Sequence, residues 1–318
     1  VIGPRPGGPR PGGPRPIIID CDPGVDDAVA ILLAFAAPEA VEVAAITTVI
    51  GNVALPLTTA NALRVRDLAG RGDVPVYCGC VRPIMAPVER RGSVHGGDGL
   101  GDIGLPPPAS AIAPGHAVDV LIDRIRAEPG AITLCPIGPM TNIAMALVKA
   151  PDIAPLIREI VFMGGAAFKP GNATPAAEFN FMIDPHAAQI MLTAGVPMTM
   201  FGLDVTHQAV IRAAWLDALE ARGGPVVRAA VAMMRSYGFA DPCLHDPCVI
   251  AYLIDPSLFS GVDAWVEVEC AAPLARGQSI AAVKERHMAG RTPNCRVMTA
   301  LDHGRLFDLL ADRLLRLD

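Results

Sequence analysis

The chain has 318 residues, a net charge of -6 and no basic run, which argues against a nucleic-acid partner or an anionic membrane surface. A hydrophobic fraction of 52% is ample for a large buried core and excludes disorder for the bulk of the chain. Eight scattered cysteines form no C-x-x-C pair, so they argue against structural zinc and for free thiols in a reducing compartment. Cytoplasm is the location they suggest.

Residues 1–16 repeat a Gly-Pro-Arg pattern that cannot bury a core. They read as a disordered arm preceding a single domain at 17–318, and they lack the apolar stretch of a secretory leader. The longest apolar runs, such as 28–37, are too short to span a bilayer.

The β-branched run Ile17 to Ile19 predicts a buried strand, and the apolar pattern over 28–37 predicts a helix. Pro23 and Gly24 supply the turn between them. Asp20, Asp22, Asp26 and Asp27 crowd this stretch. Asp26 or Asp27 can cap the helix, which accounts for one or two of the four. Four like charges at one strand end raise each other's pKa unless a cation compensates. A hard divalent ion, Ca²⁺ or Mg²⁺, is the simplest compensator. The spacing is not that of an EF-hand loop.

Further strands are predicted at 41–48, 74–77, 131–135, 160–163 and 196–203. Helices are predicted at 57–69, 116–127, from about 136–142 onward, and at 248–254. The glycine-rich 92–99 reads as irregular. Strands alternating with helices predict an α/β fold, a mostly parallel central sheet with helices on both faces. Ligands bind at the carboxyl ends of strands in such sheets. That rule gathers Asp22, Asp26 and Asp27 with Asn52, His95, Asn172, Glu178, Asn180, His245 and Asp246. Such a crevice suits a hydroxyl-rich ligand and a metal. Glu178 and Asn180 share a face if the chain there is extended, and a solvated loop is the bland alternative. Asp246 reads either as a helix cap or as a metal ligand distant in sequence from the first cluster. His116, His186, His207, His287 and His303 read as packed or surface residues.

The stretch IDCDPGVDDA at 19–28 resembles the N-terminal signature of the inosine-uridine-preferring nucleoside hydrolases. The resemblance extends through AITTVIGN at 45–52, PIGPMTNIA at 136–144, VFMGG at 161–165, EFN at 178–180, GLDVTHQ at 202–208 and HDPC at 245–248. It implies a nucleoside-hydrolase-like open α/β architecture and a cytoplasmic, Ca²⁺-dependent N-ribohydrolase, dimeric or tetrameric, that splits a ribonucleoside into ribose and base. Carried over by position, it implies Asp22, Asp27, Asp246 and the main-chain carbonyl of Ile137 as metal ligands. Asp22 is also implied as general base on the metal-held water. Asp26, Asn52, Asn172, Glu178 and Asn180 would hold ribose, with Met163 and Phe179 in the same substrate-binding set. His245 would be the general acid, and His95 would face the base. Purine-specific members stack the base between tryptophans, one directly before the last Asp ligand. His245 stands there instead, which implies leaving-base protonation and a pyrimidine or mixed inosine/uridine preference. The 236–244 segment, which includes Tyr237, is shorter than usual for the family.

Two other functions fit parts of the sequence. Asp20-Cys21-Asp22 after a strand resembles a haloacid-dehalogenase-like phosphatase nucleophile, but that reading leaves Asp26, Asp27, Glu178, Asn180 and His245 idle. A non-catalytic Ca²⁺ and ribose binder would keep the site without turnover.

Overall fold

The structure is a computed structural model that describes residues 13–85, 94–237 and 241–318. Nine strands form one sheet in the order β3-β2-β1-β4-β5-β6-β9-β7-β8. They are β1 (Arg15–Cys21), β2 (Val41–Thr48), β3 (Val76–Cys78), β4 (Thr133–Pro136), β5 (Glu159–Met163), β6 (Met198–Phe201), β7 (Phe259–Val268), β8 (Ser279–Ala282) and β9 (Cys295–Leu301). Pairings from β3 through β9 are parallel, and the β9-β7-β8 edge is antiparallel.

β1 is the pivot. Its apolar residues alternate between two cores: Ile17, Ile19 and Cys21 face one, Ile18 the other. Helix α1 (Val25–Phe35), directly after β1, is buried at all eleven positions. A helix apolar on every side must be covered on every side. α2 (Leu55–Leu68), α9 (Pro225–Tyr237), α10 (Pro247–Ile254) and α12 (His303–Leu314) share its core. On the other face, α3 (Ala117–Ala127), α4 (Thr141–Lys149) and α6 (Pro185–Leu192) cover Ile18, Leu134, Ile160 and Phe162. The expected mostly parallel sheet with helices on both faces is therefore present.

Two expectations need correction. β1 starts at Arg15, so Arg15 and Pro16 belong to the sheet rather than to the arm. Arg15 is buried, and its Nη1 donates to Glu159 Oε1 at 2.6 Å. Residues 1–12 lie outside the described residues. The strand expected over 196–203 ends at Phe201; Gly202 then caps the short helix α7 (Leu203–Thr206). No helix among the described residues is long and apolar enough to cross a membrane.

Candidate active site

β1 pairs with β2 on one side and β4 on the other, so successive connections leave it in opposite directions. A crevice opens at the carboxyl ends of strands at such a reversal. Here it is a cavity of about 350 Å³. The same register seats Asp20 between Thr47 and Pro136. Asp20 Oδ1 accepts from Thr47 Oγ1 (2.6 Å) and Asn142 Nδ2 (2.7 Å), which ties β1, β2 and α4 together. Asp20 is thus a structural carboxylate outside the cavity lining, and the crowd of four reduces to three.

Asp22 sits in a seat made by two glycines. A Cβ on Gly51 would lie 1.9 Å from Asp22 Oδ2, and one on Gly138 would lie 2.4 Å from Oδ1. The Asn52 N–H donates to Asp22 Oδ2 at 2.6 Å. Gly24 caps α1, and Asp27, at the third helical position, accepts from the Gly24 N–H (2.9 Å) and the Asp22 N–H (3.2 Å). Asp26, Asp27 and Asp246, all buried, offer carboxylate oxygens within 4.8 Å of one another. The tight triad therefore contains Asp26 where the family resemblance pointed to Asp22, which adjoins it through Asp27. Asp246 occupies the N-cap of α10 without a capping hydrogen bond, so its carboxylate is not spent on the helix.

Burial, then Asp27, pushes Asp22 well above the ordinary carboxylate range. Burial, then Asp26, pushes Asp27 up to about 7. Burial, then Asp26 and Asp27, raises Asp246. No lysine or arginine lines the cavity among the described residues. Buried carboxylates beside the Ile137 carbonyl, without a lysine or arginine among the described lining residues, fit a hard divalent cation with oxygen ligands.

The wall after β5 is built around Glu178. Glu178 is itself extended but caps α5 (Phe179–Ile183), so the chain is helical from Phe179 on and the shared-face premise for Glu178 and Asn180 fails. Helix geometry brings them together instead. Glu178 Oε1 accepts from the Asn180 N–H (2.8 Å), and Oε2 accepts from the N–H groups of Gly165 (2.7 Å) and Phe181 (3.1 Å). Burial still raises its pKa despite these bonds. Asn180 Nδ2 donates to the carbonyls of Ile137 (2.8 Å) and Met163 (3.2 Å). Asn52 Nδ2 likewise donates to the Asp22 carbonyl and Asp27 Oδ2. Asn172 accepts from the Phe179 N–H at 3.1 Å. All the site residues read from the sequence line the cavity except the fully buried Asp27.

The remaining wall holds rings and was only partly legible. His95 Nδ1 accepts from the Val25 N–H (3.1 Å), and its ring stacks on Tyr237 at 5.0 Å and 18°. Burial lowers the His95 pKa. Thus the neutral ring carries its proton on Nε2. His245 Nδ1 meets Thr206 Oγ1 at 2.8 Å, and Nε2 meets Asp241 Oδ2 at 3.1 Å. Burial pulls His245 down, but the Asp241 bond and charge, with Asp26 and Glu178, outweigh it and raise the net pKa. His207, read from the sequence as a bland residue, packs edge-on against His245 at 5.7 Å. Thr206, His207 and Asp241 were missed. Thr206 and His207 fall inside the GLDVTHQ motif, which was the available signal; Asp241 has none.

A cavity with a cation-ready acidic cluster and ring nitrogens beside it is equipped to split a sugar from a nitrogenous base. The chain belongs to the family described as inosine-uridine preferring nucleoside hydrolases, which matches residues 17–308. It is 41% identical over 307 residues to the pyrimidine-specific ribonucleoside hydrolase RihA of Salmonella enteritidis PT4, covering 94% of this chain and 97% of that one. The plant nucleoside hydrolase PpNRh1 superposes with a TM-score of 0.90 at 33% identity, covering 95% of this chain and 99% of that one. A purine-preferring ribonucleoside hydrolase from Gardnerella vaginalis superposes with a TM-score of 0.89 at 31% identity, with the same coverage of both chains. The chain is accordingly a nucleoside hydrolase, and the phosphatase reading is not favoured.

Proposed function

We propose that the chain cleaves the N-glycosidic bond of uridine-type or mixed inosine/uridine ribonucleosides, with Ca²⁺ as its ion. The observation that carries this is one cavity lined by Asp22, Asp246, Glu178, Asn180 and His245 together. Asp22, Asp27, Asp246 and the Ile137 carbonyl would hold the ion. Bound there, Ca²⁺ supplies charge that acidifies a water and binds a vicinal diol. Asp22 takes the proton of the attacking water as general base. Asp26, Asn52, Asn172, Glu178 and Asn180 hold the ribose, with Met163 and Phe179 against it. Their oxygens stabilise the positive charge that grows on the ring as the bond breaks. His245 gives a proton to the departing base, and His95 faces that base.

The base preference follows from the lining. No tryptophan is present among the described lining residues, and the rings there are His95, Phe179, Tyr237 and His245. Stacking between indoles is therefore not the means of activation, which favours protonation. RihA, at 41% identity, is named as pyrimidine-specific, in keeping with that reading.

Ribose release from a panel of nucleosides, with and without chelator, tests the proposal. Uridine and inosine should be cleaved, and chelation should abolish turnover until Ca²⁺ is restored. Full activity after exhaustive chelation, with no metal by elemental analysis, would overturn the metal assignment. Exclusive cleavage of adenosine or guanosine would overturn the base preference.

A further inference from the structure

Four consecutive main-chain N–H groups after β5 are each held by a side chain from another part of the fold. Gly165 donates to Glu178 Oε2 (2.7 Å) and Ala166 to Ser279 Oγ (3.0 Å). Ala167 and Phe168 donate to the two carboxylate oxygens of Asp204, at 2.8 and 2.7 Å. Asp204 is buried, belongs to the GLDVTHQ motif at 202–208 and lies outside the cavity lining. Hydrogen bonds to a carboxylate are roughly twice as strong as those between neutral groups, so this is a firm anchor. It is braced from behind: Gln208 Nε2 donates to the Asp204 carbonyl (2.7 Å) and to the Thr299 carbonyl of β9 (2.8 Å). The Leu203 N–H holds the Gly165 carbonyl at 2.9 Å.

Only Lys169, Pro170 and Gly171 separate Phe168 from Asn172, and the proline ring fixes one of the intervening φ angles. Beyond Asn172 the loop closes on itself. Thr174 Oγ1 accepts from the N–H groups of Ala176 (3.2 Å) and Ala177 (2.9 Å). A Cβ on Gly171 would lie 2.1 Å from the Ala177 carbonyl oxygen. A shift at Phe168 therefore reaches Asn172 with little slack to absorb it. Asn172 lines the cavity, and its Oδ1 is taken by the Phe179 N–H. Its Nδ2 has no partner among the described residues and can donate to a sugar hydroxyl. Glu178 depends less on the loop, because it keeps the Asn180 and Phe181 N–H groups of α5 wherever Gly165 moves.

We propose that Asp204 is a positioning residue for one ribose hydroxyl: it pins the loop over 165–172 so that the Asn172 amide reaches that hydroxyl. The inference rests on Asn172 being a ribose contact. Asp204 acts only through the loop.

The test compares kcat/KM for uridine with that for 2′-, 3′- and 5′-deoxyuridine. Asn172→Ala identifies the hydroxyl: the preference for uridine over one of the three should fall about tenfold, the scale of one hydrogen bond. Asp204→Asn keeps the side chain's shape but turns an NH₂ toward one of its two N–H donors. It should lower that same preference by up to about tenfold and leave the other two unchanged. A role in packing alone would slow all four substrates alike and move no ratio. In the Asp204→Asn/Asn172→Ala double variant the ratio should match that of Asn172→Ala, because both substitutions act on one contact. If a melting curve shows that Asp204→Asn does not fold, Asp204→Ser is measured in its place. Unchanged ratios in the folded Asp204 variant, or a fall in a ratio that Asn172→Ala leaves alone, overturn the positioning role while Asn172 remains a ribose contact. A further fall in the double variant also overturns it. If Asn172→Ala itself moves no ratio, Asn172 does not hold the ribose, and the proposal falls with that assignment.

Discussion

Asp27 accepts two main-chain N–H groups and is nevertheless pushed up to about 7, because burial and Asp26 outweigh those bonds. A carboxylate raised in the folded state holds a proton that the unfolded chain has already lost. Its stabilising contribution is therefore complete below its ordinary value of 3.8 and is lost as pH rises toward about 7. A divalent cation competes with that proton and reverses the penalty. The rise in melting temperature on adding Ca²⁺ to chelated protein should thus be small near pH 5 and larger near pH 8. A shift independent of pH, or none, would mean that these carboxylates do not hold the ion. Asp27→Ala should abolish the shift, whereas Asp22→Asn should lose turnover more than metal affinity. At the ring wall, His245→Ala should cut uridine turnover by about 10²–10⁴-fold and barely touch p-nitrophenyl riboside. Paired kinetics on the two substrates would check it.

At the scale of elements, the β-strand ends act as brackets that place small residues where a carboxylate needs room. Gly51 follows β2 and Gly138 follows β4, and an added Cβ at either would strike Asp22. Gly51→Ala should displace that carboxylate and lower turnover on the order of 10²-fold, the scale expected for an ångström of misplacement. Steady-state kinetics with a melting curve would separate this from unfolding. Arg15 pairs with Glu159 across β1 and β5, both buried. Arg15→Ala removes the 2.6 Å donor to that carboxylate, which keeps Thr133 Oγ1 at 3.5 Å and Arg158 Nε at 3.9 Å, and should cost about 1–3 kcal/mol, read by denaturant unfolding. Truncation through residue 16 should therefore lower stability, contrary to what the Gly-Pro-Arg repeat suggests. Local sequence cannot separate Arg15 from the repeat, because its partner lies 144 residues away. The first five strands were legible to within about two residues, since short β-branched runs between turn signals can be little else. Beyond Ile254 the sequence analysis predicts no element, although β7 shows the half-alternating burial of an edge ribbon and α12 has one apolar stripe. Asp241 was illegible for a stronger reason. It lies outside any helix or strand, and only the fold turns its Oδ2 toward His245.

Over the whole molecule, the sheet's order decides which chemistry meets which. β1, β2, β4 and β5 deliver Asp22, Asn52, Ile137 and Met163 to one cavity. α9, α10 and the segment between them bring Tyr237, Asp241, His245 and Asp246 to the same space. The two sets come from halves of the chain that share the core packed around α1. In the proposed assignment, the ribose-holding Asn52, Glu178 and Asn180 follow the parallel strands, and His245, which faces the departing base, precedes α10. This division makes the two specificities separable. The strand-end groups are polar, buried and already hydrogen-bonded to one another, as Glu178 and Asn180 show. A ribose hydroxyl that completes such a set is missed heavily when absent, because buried polar groups lose their partner. 2′-Deoxyuridine should accordingly have a kcat/KM below that of uridine by a factor on the order of 10⁴. The same ratio should persist when His245 is replaced by Ala, because the base end contributes nothing to it. Parallel kinetics of uridine and 2′-deoxyuridine on both enzymes would test this. Equal kcat/KM values in the parent enzyme would remove the ribose assignment of the strand-end groups, and a ratio that collapsed only in the His245 variant would show that the two ends act as one.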